Sequence, residues 1–420
     1  MCNVRTVTPD ALRHLLGARP GPAAPAVPRV VASGNMAAPL TVLRAVDAAL
    51  PAYRLNLLNA QPGIPDRDGV THETSFVGPG MRRSPRLSYV PSRLSLVPTL
   101  FHRALPPDVV VVHTSPPAGG KVSLGVEVNV LPAAVEAAKA RGGVVVAQVN
   151  RQMPYTFGDA ELPCDLVDLA VEVDEPLRTG GGAPPDPDSR GIGERIAGLV
   201  PDGATLQLGI GAVPDSVLPG LVARRGLRVW TEMFSDGVLA LERAGALDAE
   251  VAITASFVFG SAELYAWLHR NPRVRMLRTE STNDPARIAA QPLMTSINSA
   301  LQVDLFGQAN ASRLNARIYS GFGGATDFLV GALHASGGQA FVALRSWHPK
   351  ADVSTIVPLL EEPTTSFQPS AVVTEHGVAT VWGRDQTEQA RELIEHAAHP
   401  RVREELREEA AELGLRRSGA

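Results

Sequence analysis

The sequence contains very little cysteine. Its 420 residues include two cysteines, Cys2 and Cys164, too few for a disulfide framework or for a metal cluster of the cysteine type. We interpret Cys164 as a small buried apolar residue, in a protein kept in a reducing cytoplasm. Disulfide-rich secreted domains and cysteine-bound metal centres are therefore not expected.

Long apolar runs, an excess of positive charge and the common hydrolase motifs are also missing. No run of about 18 apolar residues occurs, and the N-terminus lacks a basic segment followed by an apolar core of about 7–15 residues, so we expect no membrane span and no signal peptide. The formal net charge of −4 provides no basic surface for nucleic acid. The Gly-x-Ser-x-Gly and His-Glu-x-x-His patterns are absent, which disfavours serine and zinc hydrolases and predicts no metal site.

The length and composition are those of a globular protein with two domains. Hydrophobic residues make up 45% of the chain and charged residues 20%, and 420 residues are too many for one ordinary core, so two domains of roughly 200 residues each are expected. Residues 178–190 are rich in glycine and proline, and we interpret them as a linker or long surface loop. We therefore expect an N-terminal domain over residues 1–185 and a C-terminal domain over residues 190–420.

Strand and helix patterns alternate in both halves. In the first half, β-branched runs predict strands at 109–112 and 144–149, on either side of an alanine-rich helix at 132–140. In the second half the predicted elements are helix 193–199, strand 205–208, helix 215–223 and strand 227–230, with a solvated helical tail at 386–396 and 401–413. The fold class predicted is α/β: two consecutive open α/β domains, with the active site in the cleft between them, beyond the carboxyl ends of the strands.

The most informative stretch is 229–237, Val-Trp-Thr-Glu-Met-Phe-Ser-Asp-Gly, which places Glu232 directly after a predicted strand. Upstream, residues 206–214 form an apolar run and a glycine turn that can offer backbone N–H groups to an anion. Downstream, residues 319–328 form a second glycine loop. A carboxylate in a partly desolvated cleft can attack a thioester carbonyl if N–H donors meet the oxyanion that forms. The two glycine loops are the candidate donors.

The order of these motifs resembles the acetyl-CoA hydrolase/transferase family of class I CoA-transferases. The resemblance covers nearly the whole chain and is strongest in the C-terminal half. There it continues through segments 282–285, 296–300, 303–308, 356–358, 373–379 and 398–400, and in the N-terminal half more weakly through 33–35, 89–91, 115–117, 123–125, 149–150 and 153–154. Residues 118–122 depart from the Asp-x-x-Gly-Tyr segment common among relatives, which leaves the acyl group and the acceptor open.

The resemblance implies a mechanism and a set of site residues. Glu232 would attack an acyl-CoA to give an acyl-glutamyl anhydride and then a glutamyl-CoA thioester, with ping-pong kinetics. Asn283 would orient Glu232, and the amide of Gly324 would lie near the reacting carbonyl. Contacts to CoA are implied for Gly209, Ile210, Gly211, Ala212, Val213 and Gly323 and, by an approximate match, for Lys350. The implied protein is a homodimer that uses acyl-CoA and a small carboxylic acid as substrates and keeps no cofactor permanently bound. From the missing membrane span and signal peptide we expect it to be cytoplasmic.

Some alternatives stay open. The same Glu232 could serve acyl-CoA hydrolysis, and a chain that keeps the fold could bind acyl-CoA without turnover. Two rival carboxylates, Glu375 and Glu280, fall outside the nucleophile motif. Because adjacent residues on a strand point to opposite faces, we expect His376 beside Glu375 to have a structural or dimer-contact role. We interpret Asn298 as a buried residue that supports a loop around the site.

Overall fold

A computed structural model of the protein describes residues 4–18, 27–180, 185–209, 211–364 and 367–415. Contacts within the chain divide it into two compact units. Unit 1 comprises Met1–Gly181, Ala252–Thr282 and Ser320–Gly323. Unit 2 comprises Gly182–Val251, Asn283–Tyr319 and Gly324–Ala420.

The first part of the chain alternates strands with short helices. The strands are β1 (Arg5–Thr6), β2 (Arg29–Ala32), β3 (Tyr53–Asn56), β4 (Val70–Thr74), β5 (Leu87–Tyr89), β6 (Val109–Thr114), β7 (Lys121–Ser123), β8 (Val144–Asn150), β9 (Phe157–Gly158), β10 (Glu161–Pro163) and β11 (Leu169–Val173). The helices are α1 (Pro9–Gly17), α2 (Leu40–Ala49), α3 (Val97–His102) and α4 (Leu131–Ala140).

The same alternation continues to the C-terminus. The strands are β12 (Thr205–Leu208), β13 (Arg228–Val229), β14 (Met233–Phe234), β15 (Ile253–Ala255), β16 (Phe257–Val258), β17 (Val274–Met276), β18 (Met294–Ser299), β19 (Gln302–Asp304), β20 (Ala309–Asn310), β21 (Arg313–Leu314), β22 (Arg317–Ile318), β23 (Gln339–Ala343), β24 (Trp347–His348), β25 (Val353–Ser354), β26 (Ile356–Val357), β27 (Ala371–Thr374) and β28 (Gly377–Thr380). The helices are α5 (Pro187–Leu199), α6 (Ala212–Val217), α7 (Asp236–Arg243), α8 (Ala262–Leu268), α9 (Thr279–Thr282), α10 (Pro285–Ala289), α11 (Ala325–His334), α12 (Gln386–Glu392) and α13 (Arg403–Glu412). Among the described residues, no helix is both long and apolar enough to cross a membrane.

Unit 1 is built on a parallel sheet of eight strands in the order β1-β11-β8-β6-β2-β3-β4-β5. Every residue of β6 and β8 is buried. Continuous runs of valine suit this position, because a central parallel strand is covered on both faces. The predicted strands at 109–112 and 144–149 and the helix between them are confirmed.

Unit 1 also contains a segment from the second half of the chain. Strands β15 and β17 form a small parallel sheet with β9, which ties residues 252–282 to the first half. At Gly158 the backbone φ is +96°, and a Cβ there would lie 2.5 Å from the carbonyl oxygen of Met276, so the pairing needs glycine. The expected domains 1–185 and 190–420 differ from the units in this segment and in 320–323, because pairing between distant residues leaves no local pattern.

Unit 2 is built on a six-stranded sheet in the order β13-β12-β18-β23-β27-β28. All neighbours are parallel except β27 and β28. The core below it includes Phe328 and Leu329 of α11 together with Leu393 and Leu406 from the C-terminal segment. The fold class, α/β in both units, is confirmed. The prediction of a solvated helical tail is wrong, because Leu393 is 0% and Leu406 2% exposed.

Two further expectations need correction. Helix α5 begins at Pro187, inside the predicted loop 178–190, because the side chain of Asp186 accepts a hydrogen bond from the Ser189 N–H and proline is favourable in the first turn; residues 181–184 of that loop lie outside the described residues. Cys164 is buried but disulfide-bonded, so the expectation of a reduced thiol is wrong for this structure. Cys2 lies outside the described residues.

Candidate active site

Glu232 lies in the short turn between β13 and β14. The preceding residue, Thr231, is fully buried. Its hydroxyl donates to the carbonyl of Met233 at 2.8 Å and accepts from the N–H of Leu208 at 3.2 Å. These bonds fasten the turn to the end of β12, so the main chain at Glu232 has a fixed position.

Asn283 holds the carboxylate of Glu232. Its side-chain Nδ2 donates to Glu232 Oε2 at 3.0 Å, and Asn283 itself is 0% exposed. The chain after Asn283 enters α10, whose first turn is capped by the Asp284 side chain through the N–H of Ala286. Asn283 is therefore anchored at a helix start and donates to one oxygen of the carboxylate; its role in orienting Glu232 stays a prediction.

Gly324 brings its backbone against the same two groups. It is the N-cap residue of α11, with φ −100°. A Cβ built on Gly324 would lie 2.0 Å from Glu232 Oε2 and 2.3 Å from Asn283 Nδ2. The position has no room for a side chain, and the glycine lets the start of α11 approach the carboxylate.

Burial dominates the electrostatics of Glu232. Desolvation disfavours the charged form and raises the pKa of the Glu232 carboxyl to about 7. The hydrogen bond from Asn283 favours the anion and lowers the pKa, whereas the negative charge of Asp327 raises it. Near neutral pH the residue thus exists as both acid and carboxylate. Glu232 is half-buried, and a partly desolvated carboxylate of this kind can act as a nucleophile.

The first glycine loop lies at the same edge of the sheet as Glu232. Strands β12 and β13 are parallel neighbours, so the loop after Leu208 and the turn after Val229 leave the sheet at the same end. The Gly209 N–H donates to the Ile297 carbonyl at 3.0 Å, and Gly211 has φ +126°. In this loop Ala212 is exposed and Val213 is half-buried, while Ile210 lies outside the described residues.

Two predicted contacts to CoA are not among the groups that touch Glu232. Lys350 is exposed in the turn between β24 and β25. Gly323 belongs to unit 1, with φ +57°; its carbonyl accepts from the Leu94 N–H at 2.9 Å. The roles of both residues stay predictions. Among the described residues, no group of three or more histidine, cysteine, aspartate or glutamate side chains is placed to hold a metal ion.

The rival carboxylates have structural partners. Glu375 and His376 form the turn between β27 and β28, and His376 Nε2 lies 3.5 Å from Glu375 Oε1. The argument that they point to opposite faces of a strand is therefore wrong, because neither is in a strand. Glu375 accepts hydrogen bonds from the backbone N–H of Ser346, at 2.9 Å, and from its hydroxyl. Glu280 pairs with Arg278 at 3.0 Å.

Asn298 belongs to a buried hydrogen-bond network between β12 and β18. Its Nδ2 donates to Gln207 Oε1 at 2.9 Å and to the Ser296 hydroxyl at 2.8 Å. The Ser296 hydroxyl in turn donates to Gln207 Oε1 at 2.7 Å. This network joins β12, which is followed by the first glycine loop, to the neighbouring strand β18, in agreement with a supporting role for Asn298.

Two residues of the site were missed in the sequence. Thr231 precedes Glu232 in the motif, but its bonds to β12 depend on strand pairing that the motif does not reveal. Asp327 lies in the second glycine segment and is 1% exposed. A carboxylate in the first turn of a helix is ordinarily a solvated partner of the helix dipole, and only its burial distinguishes this one.

Comparison with known proteins gives consistent matches over most of the chain. Residues 23–178 match the acetyl-CoA hydrolase/transferase N-terminal domain, and residues 260–410 match the corresponding C-terminal domain. The 4-hydroxybutyrate coenzyme A transferase of Clostridium kluyveri is 38% identical over 353 residues, 80% of this chain and 81% of that protein. The succinyl-CoA:acetate/propanoyl-CoA:succinate CoA transferase of Fasciola hepatica is 37% identical over 82% of this chain and 75% of its own length. The crystal structure of RipA from Yersinia pestis superposes with a TM-score of 0.88 at 27% identity and covers 98% of both chains.

Proposed function

The chain belongs to the acetyl-CoA hydrolase/transferase family, and from this premise we infer that it is a CoA-transferase that moves CoA from an acyl-CoA to a free carboxylic acid. We propose that Glu232 is the nucleophile. The observation that carries this role is the meeting of three groups: the Glu232 carboxylate, the Asn283 amide at 3.0 Å and the start of α11 at Gly324. A partly desolvated, oriented carboxylate beside backbone donors is the arrangement that thioester attack requires.

The first half-reaction has two proposed steps. One oxygen of Glu232 attacks the thioester carbonyl carbon, the oxyanion that forms is met by the N–H of Gly324, and the carbon–sulfur bond breaks to release CoA thiolate and leave a mixed anhydride. The thiolate then attacks the glutamyl carbonyl carbon of the anhydride. The bond between the glutamyl carbonyl carbon and the bridging oxygen breaks, the acyl group leaves with that oxygen as a carboxylate, and CoA remains on Glu232 as a thioester. An acceptor carboxylate repeats the steps in reverse, which gives ping-pong kinetics.

The remaining contacts are proposed from the family pattern. The loop from Gly209 to Val213 is placed to hold CoA near Glu232, because it leaves the sheet at the same edge. Gly323 and Lys350 are proposed as further CoA contacts. In this scheme acyl-CoA is a substrate and no permanently bound cofactor takes part. A homodimer is proposed on the family pattern alone, and a cytoplasmic location on the lack of a long apolar run in the sequence.

Isotope exchange tests the proposal. Acyl-CoA is incubated with a panel of 13C-labelled small carboxylates, and the label entering acyl-CoA is measured together with free thiol. We expect label in acyl-CoA with at least one acceptor and little free thiol. Free thiol without labelled acyl-CoA would assign hydrolysis to the site. The absence of both products would indicate a protein that binds acyl-CoA without turnover.

Matched variants connect the exchange to the site. Glu232→Ala should abolish it, whereas Glu280→Ala removes a carboxylate that pairs with Arg278 and should retain it. Exchange that persists in Glu232→Ala, or that is lost only in Glu280→Ala, would contradict the assignment of the nucleophile.

A further inference from the structure

One buried carboxylate beside the site has no part in the proposed steps. Asp327 lies in the first turn of α11, three residues after Gly324, and is 1% exposed. Gly324 is the residue whose backbone meets the Glu232 carboxylate. The half-buried Glu232 contacts the start of α11, and the buried Asp327 lies in the first turn of the same helix. Low exposure to water strengthens the interaction between their charges.

Other carboxylates near this part of unit 2 interact elsewhere. Asp215 accepts a hydrogen bond from the Ser235 hydroxyl at 3.1 Å and is affected by the charge of Asp236. Asp284 caps α10. The negative charge of Asp327 raises the pKa of the Glu232 carboxyl and so opposes ionisation of Glu232.

We propose that Asp327 is a positioning residue whose negative charge destabilises the free Glu232 carboxylate and thereby favours transfer of CoA onto Glu232. The proposal rests on the proposed function. Repulsion from Asp327 then favours formation of the glutamyl-CoA thioester, and no contact between Asp327 and the substrate is needed.

The balance of charge explains the effect. The enzyme with a Glu232 carboxylate reacts with acyl-CoA to give the glutamyl-CoA thioester and a free carboxylate. One carbon–sulfur bond and one carbon–oxygen bond break and reform, and the negative charge leaves with the released carboxylate. The site begins with two negative charges, on the half-buried Glu232 and the buried Asp327, and ends with one, so the repulsion from Asp327 is relieved in the product.

Protonation of Glu232 removes the same charge from the same place. Replacing Asp327 by a neutral residue of similar shape should therefore stabilise the Glu232 anion equally against protonation and against thioester formation. A shift of one pH unit in the titration of Glu232 corresponds to a tenfold change in an equilibrium constant. The two effects should agree in size, a relation that a purely structural role for Asp327 does not predict.

Asp327→Asn tests this relation through two readouts. The first is the acid limb of the pH profile of kcat/KM for acyl-CoA, that is, its fall at low pH, which reports titration of the free enzyme. The second is the ratio of thioester to free enzyme at a fixed ratio of acyl-CoA to free carboxylate, measured by intact mass at a pH of roughly 8.5 or above, where Glu232 is ionised. We expect the limb to move to lower pH and the thioester ratio to fall by the same factor, up to about tenfold.

Asp304→Asn is the matched control. Asp304 is another buried carboxylate of unit 2, 3% exposed, and it accepts hydrogen bonds from the N–H groups of Phe306 and Gln308. It is not among the groups that act on Glu232, so both readouts should match wild type. Asp327→Ser supplies a second neutral variant if the asparagine variant does not fold.

Three outcomes would overturn the proposal. The first is an unchanged acid limb in a folded neutral variant, and the second is a shifted limb with an unchanged thioester ratio. The third is loss of folding in both neutral variants while Asp327→Glu folds, since the charge would then serve stability. Failure of wild type to form any thioester would instead refute the proposed function.

Discussion

Replacement of Gly324 by alanine perturbs the site at a single atom. The added Cβ would lie 2.0 Å from Glu232 Oε2 and 2.3 Å from Asn283 Nδ2, whereas real Cβ atoms essentially never approach within 3.0 Å. The φ of −100° at this position is accessible to alanine. The backbone is therefore not strained, and the carboxylate or the amide must move by about 1 Å to relieve the clash.

A displacement of this size has a predictable effect on the rate. Moving a reacting group by about 1 Å can lower the rate about 100-fold, which corresponds to roughly 2.7 kcal/mol in activation free energy. We expect kcat for CoA transfer to fall by this factor in Gly324→Ala. Steady-state kinetics with acyl-CoA and a competent acceptor measure it, and a thermal melt should show a folded protein.

Gly191→Ala is the matched control for the same chemical change. Gly191 lies within α5, and a Cβ there meets nothing within 4 Å. Alanine should leave kcat unchanged and stabilise the helix by about 0.5–1 kcal/mol. A wild-type rate in Gly324→Ala, or an equal loss in Gly191→Ala, would refute the placement of the carboxylate against the backbone of Gly324.

Three further predictions concern the residues around the carboxylate. Asn283→Ala removes the hydrogen bond at 3.0 Å that lowers the pKa of Glu232. The acid limb of the pH profile of kcat/KM should therefore move above pH 7, and kcat should fall by about 10- to 100-fold. An acid limb at the wild-type position would contradict this. The raised pKa of Glu232, about 7, means that the folded protein takes up a proton as pH falls from above 7 towards 4.5, so ionisation of Glu232 lowers stability as pH rises through this window. Glu232→Gln should therefore melt at a higher temperature than wild type above pH 7, with the difference vanishing below about 4.5. Thr231→Val deletes the hydroxyl bonds to Met233 and Leu208 and should lower the free energy of unfolding by about 1–3 kcal/mol, measured by urea titration; equal stability would show that the hydroxyl does not fix the turn.

Local sequence patterns predicted the elements that depend on local chemistry. The strand at 205–208 is observed with the same limits, and the valine runs at 109–112 and 144–149 lie within central strands. The family resemblance implied that Asn283 and Gly324 lie near Glu232, and the structure brings these groups together. Their catalytic roles stay predictions.

Features set by long-range packing could not be predicted in the same way. The pairing of β17 with β9 joins parts of the chain that are distant in sequence, so no window around either strand contains it. The C-terminal helices carry charge at helical spacing, but the burial of Leu393 and Leu406 within unit 2 depends on the whole core of that unit. The influence of Asp327 on Glu232 requires both burial and proximity, and neither can be determined from the Gly-Gly-Ala-Thr-Asp segment alone.

The most direct test of Glu232 as nucleophile is the location of the covalent intermediate. Wild-type protein is mixed with acyl-CoA without acceptor, treated with borohydride to reduce the thioester, digested and sequenced by mass spectrometry. We predict that the modified residue is Glu232 and that the modification is absent in Glu232→Ala. A modification at Glu375 or Glu280, or full transfer activity in Glu232→Ala, would contradict the proposed mechanism.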